Sequence, residues 1–174
     1  MIKIAIKQEE VEQAKKETAK FDAQKTYNKF KCNTNYIGLL GEMVMYRYLK
    51  ETNIDHEWVT FNKKGWNEPD FIMNGKTFDL KTIYSDSMWY QTPKFDIYIY
   101  AQITRDDEFL LINSWMTKEQ LEEAKRSGKA KAVTRGNRVD YVISPSEMLP
   151  IILLSGVFPP HQQLYNHNEN AEVQ

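Results

Sequence analysis

The dipeptide Asn74-Gly75 constrains this chain more than any other local feature. It lies between Asp70–Met73 and Lys76–Tyr84, two segments rich in β-branched and aromatic residues. Asn and Gly both tolerate the positive φ that a two-residue type I′ turn needs, so the segments are expected to close into an antiparallel hairpin. A two-residue turn also sets the register. Counting outward, Met73 faces Lys76, Ile72 faces Thr77, Phe71 faces Phe78 and Asp70 faces Asp79, and Glu68 falls opposite Lys81.

The rest of the chain supplies partners for that hairpin. Lys3–Lys7 alternates like a short edge strand, and Gln8 to about Tyr27 reads as a surface helix with a sparse apolar stripe of Val11, Ala14, Thr18 and Phe21. Asn33-Thr34-Asn35 offers helix-start chemistry before a helix from about Tyr36 to Glu51, whose stripe is Ile37, Leu40, Val44 and Tyr48. Gly38 and Gly41 flank that stripe, at a cost of roughly 1 kcal/mol each, which is tolerable where a helix must approach a sheet closely. Trp58–Phe61 is an expected strand, and Asn62–Asn67 a loop. Phe95–Ile103 and Phe109–Trp115 form a strand pair around Arg105-Asp106-Asp107. In the first of these, Ile97, Ile99 and Ala101 share one face and Tyr98, Tyr100 and Gln102 the other. Thr117 and Gln120 make a capping box for a helix to Ser127, stopped by Gly128. Val139–Ile143 is a last strand, and Ser146–Ser155 is expected as an apolar helix kinked at Pro150.

The expectation is therefore an α/β (α+β) chain, a central mixed sheet of about five strands flanked by helices. A single domain over 1–158 (core about 33–145) and a polar, disordered tail over 159–174 complete the picture. A length of 174 residues, 41% of them hydrophobic and 27% charged, suits one soluble domain. Cys32, the one cysteine, can make neither an internal disulfide nor a multi-cysteine metal site, so a reducing, cytoplasmic setting is expected. The apolar run at Met1–Lys7 is too short for a signal peptide, and no stretch is long enough for a membrane span.

Two carboxylates directly across an antiparallel ladder have Cβ atoms about 4.5–5.5 Å apart, and like charges there destabilise the pair unless something offsets them. A bound divalent cation is the simplest offset for Asp70 and Asp79, and all-oxygen ligands favour Mg²⁺ or Mn²⁺. The strand period puts Lys81 on the face of Asp79, where its ammonium could hold an attacking water or balance a phosphate. An isolated Asp-x-Lys on a strand more often marks a solvated face or a surface ion pair. The register and the preceding Pro69-Asp70 weaken that bland reading without displacing it, so both stay open on the residues alone.

These residues resemble the PD-(D/E)XK nuclease superfamily, the restriction-endonuclease-like fold. Pro69-Asp70 is similar to the first half of its signature, Asp79-Leu80-Lys81 to the second, and Gly38-Leu-Leu-Gly-Glu42 to the first-helix motif whose glutamate completes the metal site. Softer likenesses to small stand-alone members of phages and mobile elements follow at Trp115–Glu119 and at Arg135-Gly136 to Glu147. The resemblance implies Mg²⁺-dependent hydrolysis of DNA. Asp70 and Asp79 would bind the metal through carboxylates, Leu80 through its main-chain carbonyl, and Glu42 directly or through water, while Lys81 positions the water. One departure is plain: the family core usually has a helix after the Lys-bearing strand, and here Tyr84–Lys94 contains Pro93. The crossover is therefore either a loop, or its role passes to the helix at 117–127.

The net charge of −1 does not itself advertise a nucleic-acid binder, but the basic residues are clustered. One stretch holds Lys15, Lys16, Lys20, Lys25, Lys29 and Lys31; the other holds Lys125, Arg126, Lys129, Lys131, Arg135 and Arg138, the candidate DNA contacts. Trp66, Trp89 and Tyr90 could stack on bases or simply pack, and Glu68 could join the site or pair with Lys81. The face of Tyr98 and Tyr100, and the segment Leu149–Phe158, are candidates for a homodimer interface, with packing under a helix as the alternative. His56, His161 and His167 are scattered, and Tyr165–Asn168 lacks the paired histidine an HNH nuclease needs. Alternatives to a DNA endonuclease are a nuclease-fold protein that binds DNA or a protein without cutting, a junction resolvase, and a phage-type inhibitor or assembly protein.

Overall fold

A computed structural model of the chain describes residues 1–22, 35–59, 68–84 and 86–154. Cys32, Lys25, Lys29, Lys31, Trp66, His161, His167 and the expected tail lie outside the described residues. In chain order the elements are β1 (Ile2–Ala5), α1 (Gln8–Asp22), α2 (Asn35–Glu51), β2 (Glu57–Trp58), β3 (Phe71–Met73), β4 (Lys76–Ile83), β5 (Met88–Tyr90), β6 (Ile97–Ile103), β7 (Phe109–Thr117), α3 (Lys118–Arg126), β8 (Lys131–Arg135), β9 (Arg138–Ile143) and β10 (Leu149–Pro150). The fold is mixed α and β, as expected.

The hairpin forms as its turn chemistry requires. Asn74 and Gly75 have φ of 50° and 70°, and the pairs are Met73↔Lys76, Ile72↔Thr77 and Phe71↔Phe78. This hairpin sits inside a mixed sheet in the order β1-β7-β6-β4-β3-β2, with β10 sharing the outer edge of β7 with β1. The β4–β6 pair is parallel, so the chain must cross over between them. That crossover contains β5 and, among its described residues, no helix.

The central sheet has seven strands instead of about five, and a second sheet, β5-β9-β8, was not expected. β5 and β10 are too short to show a period, and β8 is exposed along most of its length, so neither alternation nor burial marks them in the sequence. The expected helix over Ser146–Ser155 is replaced by 3₁₀ turns at Pro145–Glu147 and Ile151–Leu153 around β10. Pro150 would have broken an α-helix; instead its carbonyl accepts the Trp115 indole N–H at 3.1 Å.

α2 covers one face of the sheet. Ile37, Leu40, Val44, Met45 and Leu49 pack with Phe78, Leu80, Ile99 and Ala101 in the larger core. Gly41 is the point of closest approach, because a Cβ there would collide with the side chain of Thr82. Gly38 faces open space, so only one of the two glycines answers to packing. α3 and the small sheet cover the opposite face, where Tyr98 and Tyr100 are buried with Met88, Tyr90, Leu121, Ala124 and Ile143. The helical cover of this face thus comes from α3. The tyrosine face is internal packing and offers no homodimer interface. Thr117 caps α3 with the full capping box.

Candidate functional site

β4 carries the centre of the site. Its alternation places Phe78, Leu80 and Thr82 toward α2, and Asp79 and Lys81 toward the face of Tyr98 and Tyr100. The parallel register sets Asp79 beside Tyr98 and Lys81 beside Tyr100. The Lys81 ammonium lies 2.6 Å from Oδ2 of Asp79. That oxygen is buried and has no other polar partner among the described residues. Burial pushes the Tyr98 hydroxyl above the ordinary tyrosine range, the Lys94 and Phe95 amides that donate to it pull back, and the charge of Asp79 pushes further up.

Asp70 departs from the expected register. Ladder pairing stops at Phe71↔Phe78, so neither Asp70 with Asp79 nor Glu68 with Lys81 forms a ladder pair. In a regular strand the Asp70 amide would point away from β4. It instead donates to the Phe78 carbonyl at 2.8 Å, while the Asp70 carbonyl accepts from Val59 at 3.1 Å. The chain is kinked here in the manner of a β-bulge, next to Pro69, which has no amide to carry the ladder on. The kink brings the Asp70 carboxylate into line with the sheet, where its Oδ2 accepts the Leu80 amide at 2.6 Å. The carboxylate therefore takes the place of the next ladder carbonyl. The carbonyl of Leu80 points to the same side as its amide, where the pairing of β3 has ended.

Glu42 is buried. It is 7% exposed on α2, between the fully buried Met45 and Leu49 turns and β2, and its Oε2 accepts the Trp58 indole N–H at 3.4 Å. Trp58, which nothing in the sequence marked as functional, also stacks on Tyr46 with centroids 4.6 Å apart. Glu42, Asp70 and Asp79 are thus three buried acids on neighbouring elements. Burying carboxylates is costly unless each is paired or hydrogen-bonded.

The donor set fits a hard divalent cation in chemistry: three carboxylates and the Leu80 carbonyl. It is not a closed cage. Among the described residues, no three Asp, Glu, His or Cys side chains converge closely enough to hold a metal ion. One oxygen of Asp70 is engaged by a backbone amide, and one of Asp79 already has a cation, the Lys81 ammonium.

The basic residues divide into two sets. On and after α3, Lys125 and Arg126 pair with Glu122 and Glu123, and Lys129 with Glu147. Lys131, Arg135 and Arg138 stand on the β8–β9 hairpin, where Arg138 and Arg135 lie around buried Asp140. Trp89 lies beneath the Arg135 guanidinium, 4.0 Å from centroid to carbon. Tyr90 is core, with its hydroxyl on the Leu121 carbonyl at 3.1 Å. His56 is engaged by the Ile54 carbonyl at 2.6 Å and by the edge of Tyr46.

Comparison of the chain with protein-family models, with curated proteins and with solved structures gives no match. No helix among the described residues is long and apolar enough to cross a membrane.

Proposed function

We propose that this chain is a metal-dependent nuclease of the PD-(D/E)XK kind that hydrolyses phosphodiester bonds in DNA. The observation that carries the reading is the pairing of Lys81 with buried Asp79 on one strand face, beside a bulge that turns Asp70 onto the Leu80 amide. A solvated Asp-x-Lys would leave its carboxylate in water; this one is 7% exposed. Glu42, Asp70, Asp79 and the Leu80 carbonyl are the groups that would hold Mg²⁺ or Mn²⁺. The metal, when bound, supplies charge stabilisation for the in-line transition state and an acidified water. The chain's own part is positional. Lys81 carries its ammonium on the face of Asp79, and its N–H groups can hold the attacking water or a non-bridging phosphate oxygen. Asp79 fixes that ammonium in place. The Trp58 indole restrains Glu42 from the β2 side.

One observation favours a second reading, a nuclease fold that binds DNA without cutting. The Asp79–Lys81 pair is closed, and no trio of acids converges among the described residues. Both readings meet one experiment. Purified protein is incubated with supercoiled, linear and branched DNA in Mg²⁺, Mn²⁺ or EDTA, beside Asp79→Ala and Lys81→Ala. Metal-dependent cleavage lost in both variants supports the enzyme. Cleavage by the Asp79 variant at the wild-type rate overturns the proposed active site, and no cleavage by wild type in any metal leaves the binding reading. The branched substrate separates a junction resolvase from a general endonuclease.

A further inference from the structure

The tip of the β8–β9 hairpin sets Arg135 directly opposite Arg138 across a two-residue turn, Gly136-Asn137. Gly136 has φ of 61° and Asn137 a negative φ, as a type II′ turn requires, so the strands twist together as a regular ribbon. Like charges facing each other across a ladder oppose folding. The ribbon nonetheless braces both from beneath. Arg138 places Nε and Nη2 each 2.9 Å from the two oxygens of Asp140, which is 4% exposed. Arg135 approaches the same carboxylate at 3.9 Å and lies on the face of Trp89. Gln91 also donates to Asp140, at 3.3 Å. The two arginine side chains remain 55% and 59% exposed, so they are held in place without being covered.

Lys131 is the remaining charge on this ribbon and is also exposed, so every exposed charge from Lys131 to Ile143 is positive. Lys125 and Arg126 of α3 differ, because each pairs with an acid three residues before it. The ribbon also belongs to the layer that covers the Asp79–Lys81 face, since Ile143 of β9 and Met88 of β5 pack with Tyr98 and Tyr100.

We infer that the β8–β9 ribbon is a docking arm for duplex DNA, with Arg135 and Arg138 as a braced pair of phosphate- or base-edge forks at its tip. A two-stranded ribbon fits the major groove of B-form DNA, and a guanidinium held by a carboxylate and an aromatic face loses little freedom on binding. The inference rests on the proposed nuclease reading for its choice of DNA as the polyanion, and it narrows that reading to double-stranded substrate held from the α3 side.

The test measures binding apart from cleavage. Fluorescence anisotropy of a labelled duplex is followed in EDTA at several KCl concentrations, with the same sequence as single strand and as duplex RNA. Wild type, Arg135→Ala and the double variant Arg138→Gln/Asp140→Asn are compared. The double variant removes the buried charge together with its partner, so the ribbon is not left with an orphaned carboxylate, and circular dichroism checks that each variant folds. Each ribbon variant is expected to bind the duplex about tenfold more weakly, with a salt slope shallower by about one. Unchanged affinity and slope in both ribbon variants would overturn the docking arm, even if wild type cuts DNA. An equal loss on single strands or RNA would overturn the assignment to duplex DNA. Ribbon-dependent duplex binding by a wild type that never cuts would sustain the arm and remove the nuclease.

Discussion

The Lys81 ammonium and Oδ2 of Asp79 are 2.6 Å apart on one face of β4, and the oxygen is sealed from water on its other sides. A buried carboxylate with a single cation depends on it for stability as much as for any reaction. Lys81→Ala should therefore lower stability by about 1–2 kcal/mol, a figure reduced from that of a fully buried pair because the lysine is partly exposed. Asp79→Asn/Lys81→Ala, which removes both charges, should recover most of it. Urea denaturation of the three proteins decides; equal midpoints for Lys81→Ala and wild type would show that the contact contributes nothing.

In turnover the same two residues should behave differently from their neighbours. Asp79→Asn and Lys81→Ala are each expected to reduce DNA cleavage by at least about a hundredfold. Trp58→Phe keeps the stack on Tyr46 and removes only the indole N–H to Glu42. Its expected effect is a raised Mg²⁺ requirement with little change at saturating metal. A variant equally impaired at every metal concentration would argue against a role through Glu42.

Metal binding can be read without catalysis. Mn²⁺ or Mg²⁺ at about a hundredfold excess over its Kd should stabilise wild type by about 2.7 kcal/mol. Asp70→Asn and Asp79→Asn should each abolish the gain. Thermal unfolding that is indifferent to either metal would remove the metal from the mechanism.

The approach of α2 to the sheet predicts opposite outcomes at two glycines. Gly41→Ala forces a Cβ into Thr82 and should destabilise by about 1–3 kcal/mol, partly relieved by Thr82→Ala. Gly38→Ala meets nothing and should stabilise by about 0.5–1 kcal/mol through helix propensity. Two substitutions of the same sign would mean that the helix does not lie on β4 as described.

Alkali should loosen the layer beneath α3. Burial pushes Tyr90 and Tyr100 each up to about 12, with smaller pushes from Glu122 and Tyr141 at Tyr90 and from Asp86 at Tyr100. An unfolded tyrosine ionises near about 10. A group raised on folding stabilises fully below its unfolded pKa, and that stability is lost as pH climbs through the folded value. Denaturant midpoints should fall between about pH 10 and 12, and less steeply in Tyr100→Phe. Phenolate absorbance rising for both residues near 10, before unfolding, would contradict this.

What could be read along the chain was local chemistry. The Asn74-Gly75 turn, the register to Phe71↔Phe78, the capping box at Thr117 and the alternation that puts Asp79 with Lys81 all follow from neighbours a few residues apart. The bulge at Asp70 does not, because it depends on Val59 and Phe78 both bonding the backbone of that one residue, and the Asp70–Asp79 ladder pair is lost with it. The apolar run after Ser146 is helical by composition, yet the open edge of β7 and the Trp115 indole draw it into β10. β5, β8 and β9 join into a sheet only once the chain has returned to cover Tyr98 and Tyr100. Backbone groups left unpaired by the sheet, and apolar faces left open by it, are satisfied by whichever distant segment reaches them. That competition is settled in three dimensions, and it decides where Asp70 points.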